Sequence, residues 1–166
     1  MTASLREVLR GPKPLIGTLV TTASPEIAEV LARAHSYGLN FADYVATAND
    51  RVAIIVQIEH KDAVVNVEEI VKVKDIDCLF VGPYDLSGSM GLLGKLSDTR
   101  VVGAIEKVRA TCAAAEMAFG IFSPTAEHAG SFIKAGARVV AIGTDLMHMA
   151  SAGRKVLEAA RQAPSR

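Results

Sequence analysis

Short, largely apolar runs, one of them broken by Gln57, alternate along this chain with longer stretches whose apolar residues recur at helical spacing. The runs fall near 16–20, 53–58, 78–81, 119–122 and 139–142. A strand that is apolar on both sides must be covered on both sides, as strands are in a parallel sheet under helices. Between the runs, Ser24-Pro25-Glu26 supplies an N-cap, a proline at the first helical position and a first-turn acid. Helices are predicted over Ile27–Ala34, Phe41–Ala48, Val64–Val73, Arg100–Met117, Ala126–Ala135 and Leu146–Arg161, with Gly136 closing the fifth. The expected architecture is an α/β fold of about five parallel strands with flanking helices. The 166 residues, half of them hydrophobic, can bury one core, so residues 1–166 are read as one domain.

The rhythm breaks once. Two helical stretches follow each other across His35–Asn40 with no strand between them. A helix in such a fold should lead back to the sheet.

Charge excludes some functions. Eighteen acidic residues balance eighteen basic ones, and no basic stripe occurs. Tryptophan is absent and aromatics are scarce, which removes the stacking platform for bases, so no nucleic-acid partner is expected. Cys78 lies in an apolar run and Cys112 in an alanine-rich helix, and both are expected as buried free thiols. Met1–Gly11 lacks the apolar segment of a secretory signal, and no run approaches the roughly 20 apolar residues that span a bilayer. A cytoplasmic protein without a membrane partner is expected.

Active sites of parallel α/β folds open at the C-terminal ends of strands. One strand ends Val56-Gln57-Ile58-Glu59-His60, with Gln57 and Glu59 two apart and so on one side. Another ends Phe80-Val81-Gly82-Pro83-Tyr84-Asp85-Leu86-Ser87, with Asp85 just past a Gly-Pro turn. If the strands are neighbours, Glu59 and Asp85 converge at one mouth. Two carboxylates suit a hard divalent ion such as Mg²⁺, which fills its other positions with water and substrate oxygens. Gln57 can donate to a substrate oxygen. The bland alternative is that Asp85 caps a short helix and Glu59 is a solvated loop residue. His35, His60, His128 and His148 are expected at surface or packing positions, because no metal-ligand spacing links them. The glycine-rich Gly88–Gly94 lacks a P-loop ending and reads as a mobile loop beside the site.

V-Q-I-E at 56–59 and F-V-G-P-Y-D-L-S at 80–87 resemble the HpcH/HpaI aldolases, class II pyruvate aldolases of the phosphoenolpyruvate/pyruvate barrel superfamily. L-I-G-T at 15–18, S-P-E-I-A-E-V-L-A at 24–32, A-N-D at 48–50, G-I-F at 120–122 and V-A-I-G-T-D at 140–145 extend the resemblance over nearly the whole chain. It implies a TIM (β/α) barrel. It implies a divalent ion (Mg²⁺, Mn²⁺ or Co²⁺) held by Glu59 and Asp85. A 2-oxo acid such as pyruvate would be contacted by Gln57, by the backbone at Tyr84 and through Asp85. The implied reaction is cleavage of 4-hydroxy-2-oxo acids to pyruvate and an aldehyde, and the implied assembly is a homo-oligomer.

The resemblance also implies a gap. A barrel of this kind has eight strands in about 250 residues. Here the first βα unit runs into the region before the fifth strand, so about three units are missing and the fold is an incomplete barrel. The seam falls near 34–36, at the double-helix irregularity, as an in-frame deletion, a spliced form or a mis-assembled gene would leave it. The missing block would hold the family's D-x-E-H histidine, its general base, and an enolate-stabilising arginine. Impaired turnover is therefore expected. The alternative is a non-catalytic remnant that binds a metal and a 2-oxo acid or serves as an interaction module.

Overall fold

The computed structural model describes residues 4–19, 46, 50 and 52–162. Five strands form one parallel sheet: β1 Leu15–Leu19, β2 Ile55–Ile58, β3 Cys78–Val81, β4 Ala118–Ser123 and β5 Val139–Thr144. The helices are α1 Leu5–Arg10, α2 Lys61–Val65, α3 Val67–Ile70, α4 Pro83–Ser89, α5 Thr99–Ala114, α6 Ala126–Lys134 and α7 Asp145–Arg161. The helices expected over Ile27–Ala34 and Phe41–Ala48 lie outside the described residues, except Ala46, which is helical.

The order across the sheet is β1-β5-β4-β3-β2. The first strand pairs with the last, Leu15 facing Val139 and Ile16 facing Val140. A sequence-ordered ring pairs its first and last strands in this way. Among the described residues β1 and β2 do not pair, so the ring stays open between them. The fold is an incomplete (β/α) barrel, an arc with two edges.

Strand register separates the two faces of the arc. Ile58, Leu79, Val81, Phe119, Ile121 and Val140 point to the helices and join Val108 and Cys112 of α5, Ala129 of α6, and Val64 and Val67 of α2 and α3 in one core. The alternate residues Gln57, Phe80, Gly120 and Val139 stand in register across four strands on the concave face. Gly120 is required there. A Cβ at this position would lie 2.7 Å from Phe80 Cδ2 and 3.1 Å from Val139 Cβ, so the Phe80 ring occupies the space above β4.

Local chemistry explains where helices depart from expectation. Val64–Val73 divides at Asn66, which ends α2 and begins α3 while its Nδ2 donates to the Asp62 carbonyl at 2.9 Å. Helix α5 stops short of Met117 because Glu116 turns left-handed at φ 53° and the Met117 N–H reaches back to the Cys112 carbonyl at 2.9 Å. Helix α1 was not expected. Its signal is a capping box, in which Ser4 Oγ accepts from the Glu7 N–H and the Glu7 carboxylate accepts from the Ser4 N–H. This helix lies at the N-terminal end of the sheet, where Arg6 Nε pairs with Asp77 at 2.8 Å and Arg138 Nη2 donates to the Leu9 carbonyl at 3.2 Å.

Candidate active site

The opposite, C-terminal end of the arc carries the residues singled out above. β2 and β3 are neighbours, with Gln57 facing Phe80 and Ile58 facing Val81. Gln57 is exposed on the concave side near the end of β2, and Glu59 follows the strand directly. Gly82, the first residue after β3, stands beside both. A Cβ there would come within 3.3 Å of Gln57 Nε2 and 3.3 Å of Glu59 Oε2. Gly82 is buried and its N–H donates to the Ile58 carbonyl at 3.2 Å, so the turn is fixed against β2. The glycine thus leaves open the small volume between its own backbone and the two polar side chains.

Gly82 is also the N-cap of α4, with Pro83 at the first helical position. Tyr84 and Asp85 therefore fall on the first turn of that helix, three residues or fewer from Gly82, and both are exposed. Asp85 is not the N-cap, as one reading of the sequence allowed. It is a first-turn acid, favoured by the helix dipole. Among the described residues neither the Glu59 nor the Asp85 carboxylate has an ion-pair or hydrogen-bond partner.

Asp85 and Tyr84 are held by a part of the chain that the sequence pattern left as a loop. Gly88 and Ser89 complete α4, and Met90–Gly94 turns back over it. The fully buried Ser87 anchors this return. Its hydroxyl donates to the Tyr84 carbonyl at 2.6 Å and accepts from the Gly94 N–H at 3.0 Å, and its carbonyl accepts from the Leu92 N–H at 2.7 Å. Ser89 Oγ accepts from the Lys61 N–H at 2.9 Å and donates to the Leu86 carbonyl, joining the end of α4 to the start of α2. The segment is therefore pinned by hydrogen bonds rather than a free loop. Sequence reading missed Ser87 and Ser89; their signal was a pair of serines flanking Gly88 inside a short helical segment.

Among the described residues no histidine bonds to Glu59 or Asp85. His60 caps α2, its Nδ1 accepting from the Asp62 N–H at 3.2 Å. His148 bonds the Ile142 carbonyl through Nε2 at 2.9 Å, three strands from β2. His128 lies in the first turn of α6, and His35 lies outside the described residues. Cys78 and Cys112 are buried free thiols, as expected, and burial pushes their pKa values up to about 12 and about 11.

Glu59 and Asp85 are oxygen donors of the kind that hard divalent ions take. Among the described residues no group of three or more His, Cys, Asp or Glu side chains could enclose a metal. One exposed carboxylate, Glu59, borders the glycine gap and another, Asp85, stands on the first turn of α4; an ion that takes one or two carboxylates keeps its other positions for water and substrate.

An open barrel with polar strand ends at its C-terminal mouth defines the class of this protein. A sequence profile of the HpcH/HpaI aldolase/citrate lyase family matches residues 7–152, and the chain belongs to that family. A hydroxypyruvate/pyruvate aldolase of Paraburkholderia phytofirmans is 40% identical over 129 residues, 78% of this chain and 49% of the relative. A 5-keto-4-deoxy-D-glucarate aldolase of Shigella boydii is 37% identical over 126 residues, 76% of this chain and 49% of the relative. Among solved structures, an HpcH/HpaI aldolase/citrate lyase family protein from Burkholderia cenocepacia is 38% identical with a TM-score of 0.71, covering 78% of this chain and 50% of that one. The chain spans about half the length of the curated relatives it matches.

Proposed function

We propose that this chain carries the metal-holding half of a class II pyruvate-aldolase site, with Glu59 and Asp85 as ligands of a divalent ion, Mg²⁺, Mn²⁺ or Co²⁺. The reaction is cleavage of a 4-hydroxy-2-oxo acid to pyruvate and an aldehyde. The observation that carries the reading is the Gly82 gap, which Gln57 and Glu59 border within 3.3 Å of a would-be Cβ. A bound ion supplies Lewis acidity toward the oxygens of a 2-oxo acid. Gln57 donates its amide N–H to a substrate oxygen, and the first turn of α4 at Tyr84 and Asp85 orients the acid's other end.

Turnover is proposed to be weak. The resemblance places the general base and the enolate-stabilising arginine in three βα units whose deletion seam falls near 34–36, within a single domain. Loss of a general base costs about 10²–10⁴ in rate. Loss of a charge-stabilising donor costs about 10²–10³. The half-length match to the relatives and the open ring both support this reading. They also favour the second reading, a non-catalytic binder of metal and 2-oxo acid.

A pyruvate-forming assay with added Mn²⁺ or Mg²⁺ separates the two. Slow turnover that vanishes in Glu59→Gln and Asp85→Asn supports a residual aldolase. Absent turnover, with metal-dependent thermal stabilisation by pyruvate or oxalate, supports the binder. Absence of both effects rejects the site.

A further inference from the structure

We infer that Ser87 is a positioning residue of the candidate site, holding Tyr84 in place for a 2-oxo acid by bracing it against the Gly94 turn. The inference rests on the proposed role of Tyr84 and adds a residue that neither motif reading nor family membership assigns. A serine inside a helix commonly returns its hydroxyl to a carbonyl three or four residues back, and the 2.6 Å bond to the Tyr84 carbonyl is of that kind. Such a bond needs no second partner. Here the same oxygen also accepts the Gly94 N–H at 3.0 Å, seven residues ahead, while the Ser87 carbonyl takes the Leu92 N–H at 2.7 Å.

One buried side chain thus joins the first turn of α4 to the far end of the glycine-rich return. Gly94 sits at φ 76°, and a Cβ there would lie 3.8 Å from Tyr84 Cε2, so the Tyr84 ring runs alongside the Gly94 backbone. The Tyr84 carbonyl is therefore held by Ser87 itself, and the Tyr84 ring lies beside a turn that Ser87 fixes. Asp85 stands on the same braced turn, but its exposed carboxylate can rotate to follow an ion, and Glu59 lies outside the bracket beside Gly82. Ser87 should accordingly act on the 2-oxo acid more strongly than on the metal.

The test uses the full chain and two ligands. Mn²⁺ binding is read from the electron paramagnetic resonance signal of the free ion. Oxalate binding, with Mn²⁺ saturating, is read by calorimetry, and melting without ligand reports the fold. In Ser87→Ala, Mn²⁺ affinity stays within about twofold while oxalate affinity falls about tenfold, the scale set by an unpaired buried group and a misplaced contact. Where Ser87→Ala does not fold, Gly94→Ala, strained by the positive φ, decides by the same pattern. Unchanged oxalate affinity in a folded variant overturns the inference and leaves the metal site standing. Loss of Mn²⁺ and oxalate binding in equal measure also overturns it. An unaltered chain that binds neither ligand overturns the proposed site and this inference together.

Discussion

Two glycines show how one residue type serves folding at one position and chemistry at another. At Gly120 a methyl group would meet the Phe80 ring at 2.7 Å and the Val139 side chain and carbonyl at 3.1 and 3.2 Å. These neighbours belong to packed strands and cannot move aside, so Gly120→Ala is expected to lower stability by about 1–3 kcal/mol in urea unfolding. At Gly82 the nearest atoms are the free ends of Gln57 and Glu59, which can rotate away. Gly82→Ala is therefore expected to change stability by less than about 1 kcal/mol while weakening Mn²⁺ binding, measured on the same samples. The two thiols yield a pH prediction. Burial raises Cys78 and Cys112 from an ordinary 9.0 to about 12 and about 11, so the fold keeps them protonated where the unfolded chain ionises. Their contribution is intact below about pH 9 and is lost as pH rises through 11–12. Denaturant midpoints should fall across that window, and less so in Cys78→Ala relative to its own neutral-pH value. Gln57, Glu59 and Asp85 were legible as candidates because polar residues interrupt or follow apolar strand ends, and Tyr84 only through the family resemblance. Ser87 was not, because its second bond depends on a turn that no local periodicity encodes.

At the scale of elements, each strand fell within about two residues of its predicted place, since apolar runs and flanking turns define strands without tertiary help. The helices at 61–70 and 83–89 were harder. They are short, so a single side-chain bond, Asn66 to the Asp62 carbonyl or Ser87 to Gly94, decides where they stop. Two sites test the element junctions. Asp77, buried between α1 and the sheet, accepts from Arg6 Nε and from the Ile54 N–H at 2.9 Å. Asp77→Ala removes both bonds and is expected to cost about 1–3 kcal/mol by chemical denaturation, against under about 1 kcal/mol for truncating the exposed Lys72 of the Lys72–Glu69 pair. Glu116 terminates α5 at a positive φ of 53° without being glycine. Glu116→Gly is expected to raise stability by about 0.5–1 kcal/mol, since relief of the left-handed backbone outweighs the added freedom of the unfolded chain.

At the scale of the whole molecule, the described strands form an arc rather than a ring, and this is the level at which the sequence spoke least. Strand count was readable, but the pairing of β1 with β5 depends on chain connectivity in space. The arc leaves apolar surface uncovered: Ile16 of β1 is 60% exposed and Ile55 of β2 is 41% exposed. Helix α7 has no buried residue, and Met149 and Val156 on it are 69% and 70% exposed. Open parallel edges and bare apolar side chains favour self-association. Sedimentation velocity is expected to show oligomers that grow with concentration, and a monodisperse monomer that binds no hydrophobic dye would refute this. The half-site itself is tested most directly by titrating Mn²⁺ into the unaltered chain and into Glu59→Gln and Asp85→Asn, following the free-ion resonance signal. One saturable site that either substitution weakens at least about tenfold is the predicted result, in keeping with the loss of one of two charged ligands. Absence of a saturable site, or equal affinity in all three proteins, would contradict it.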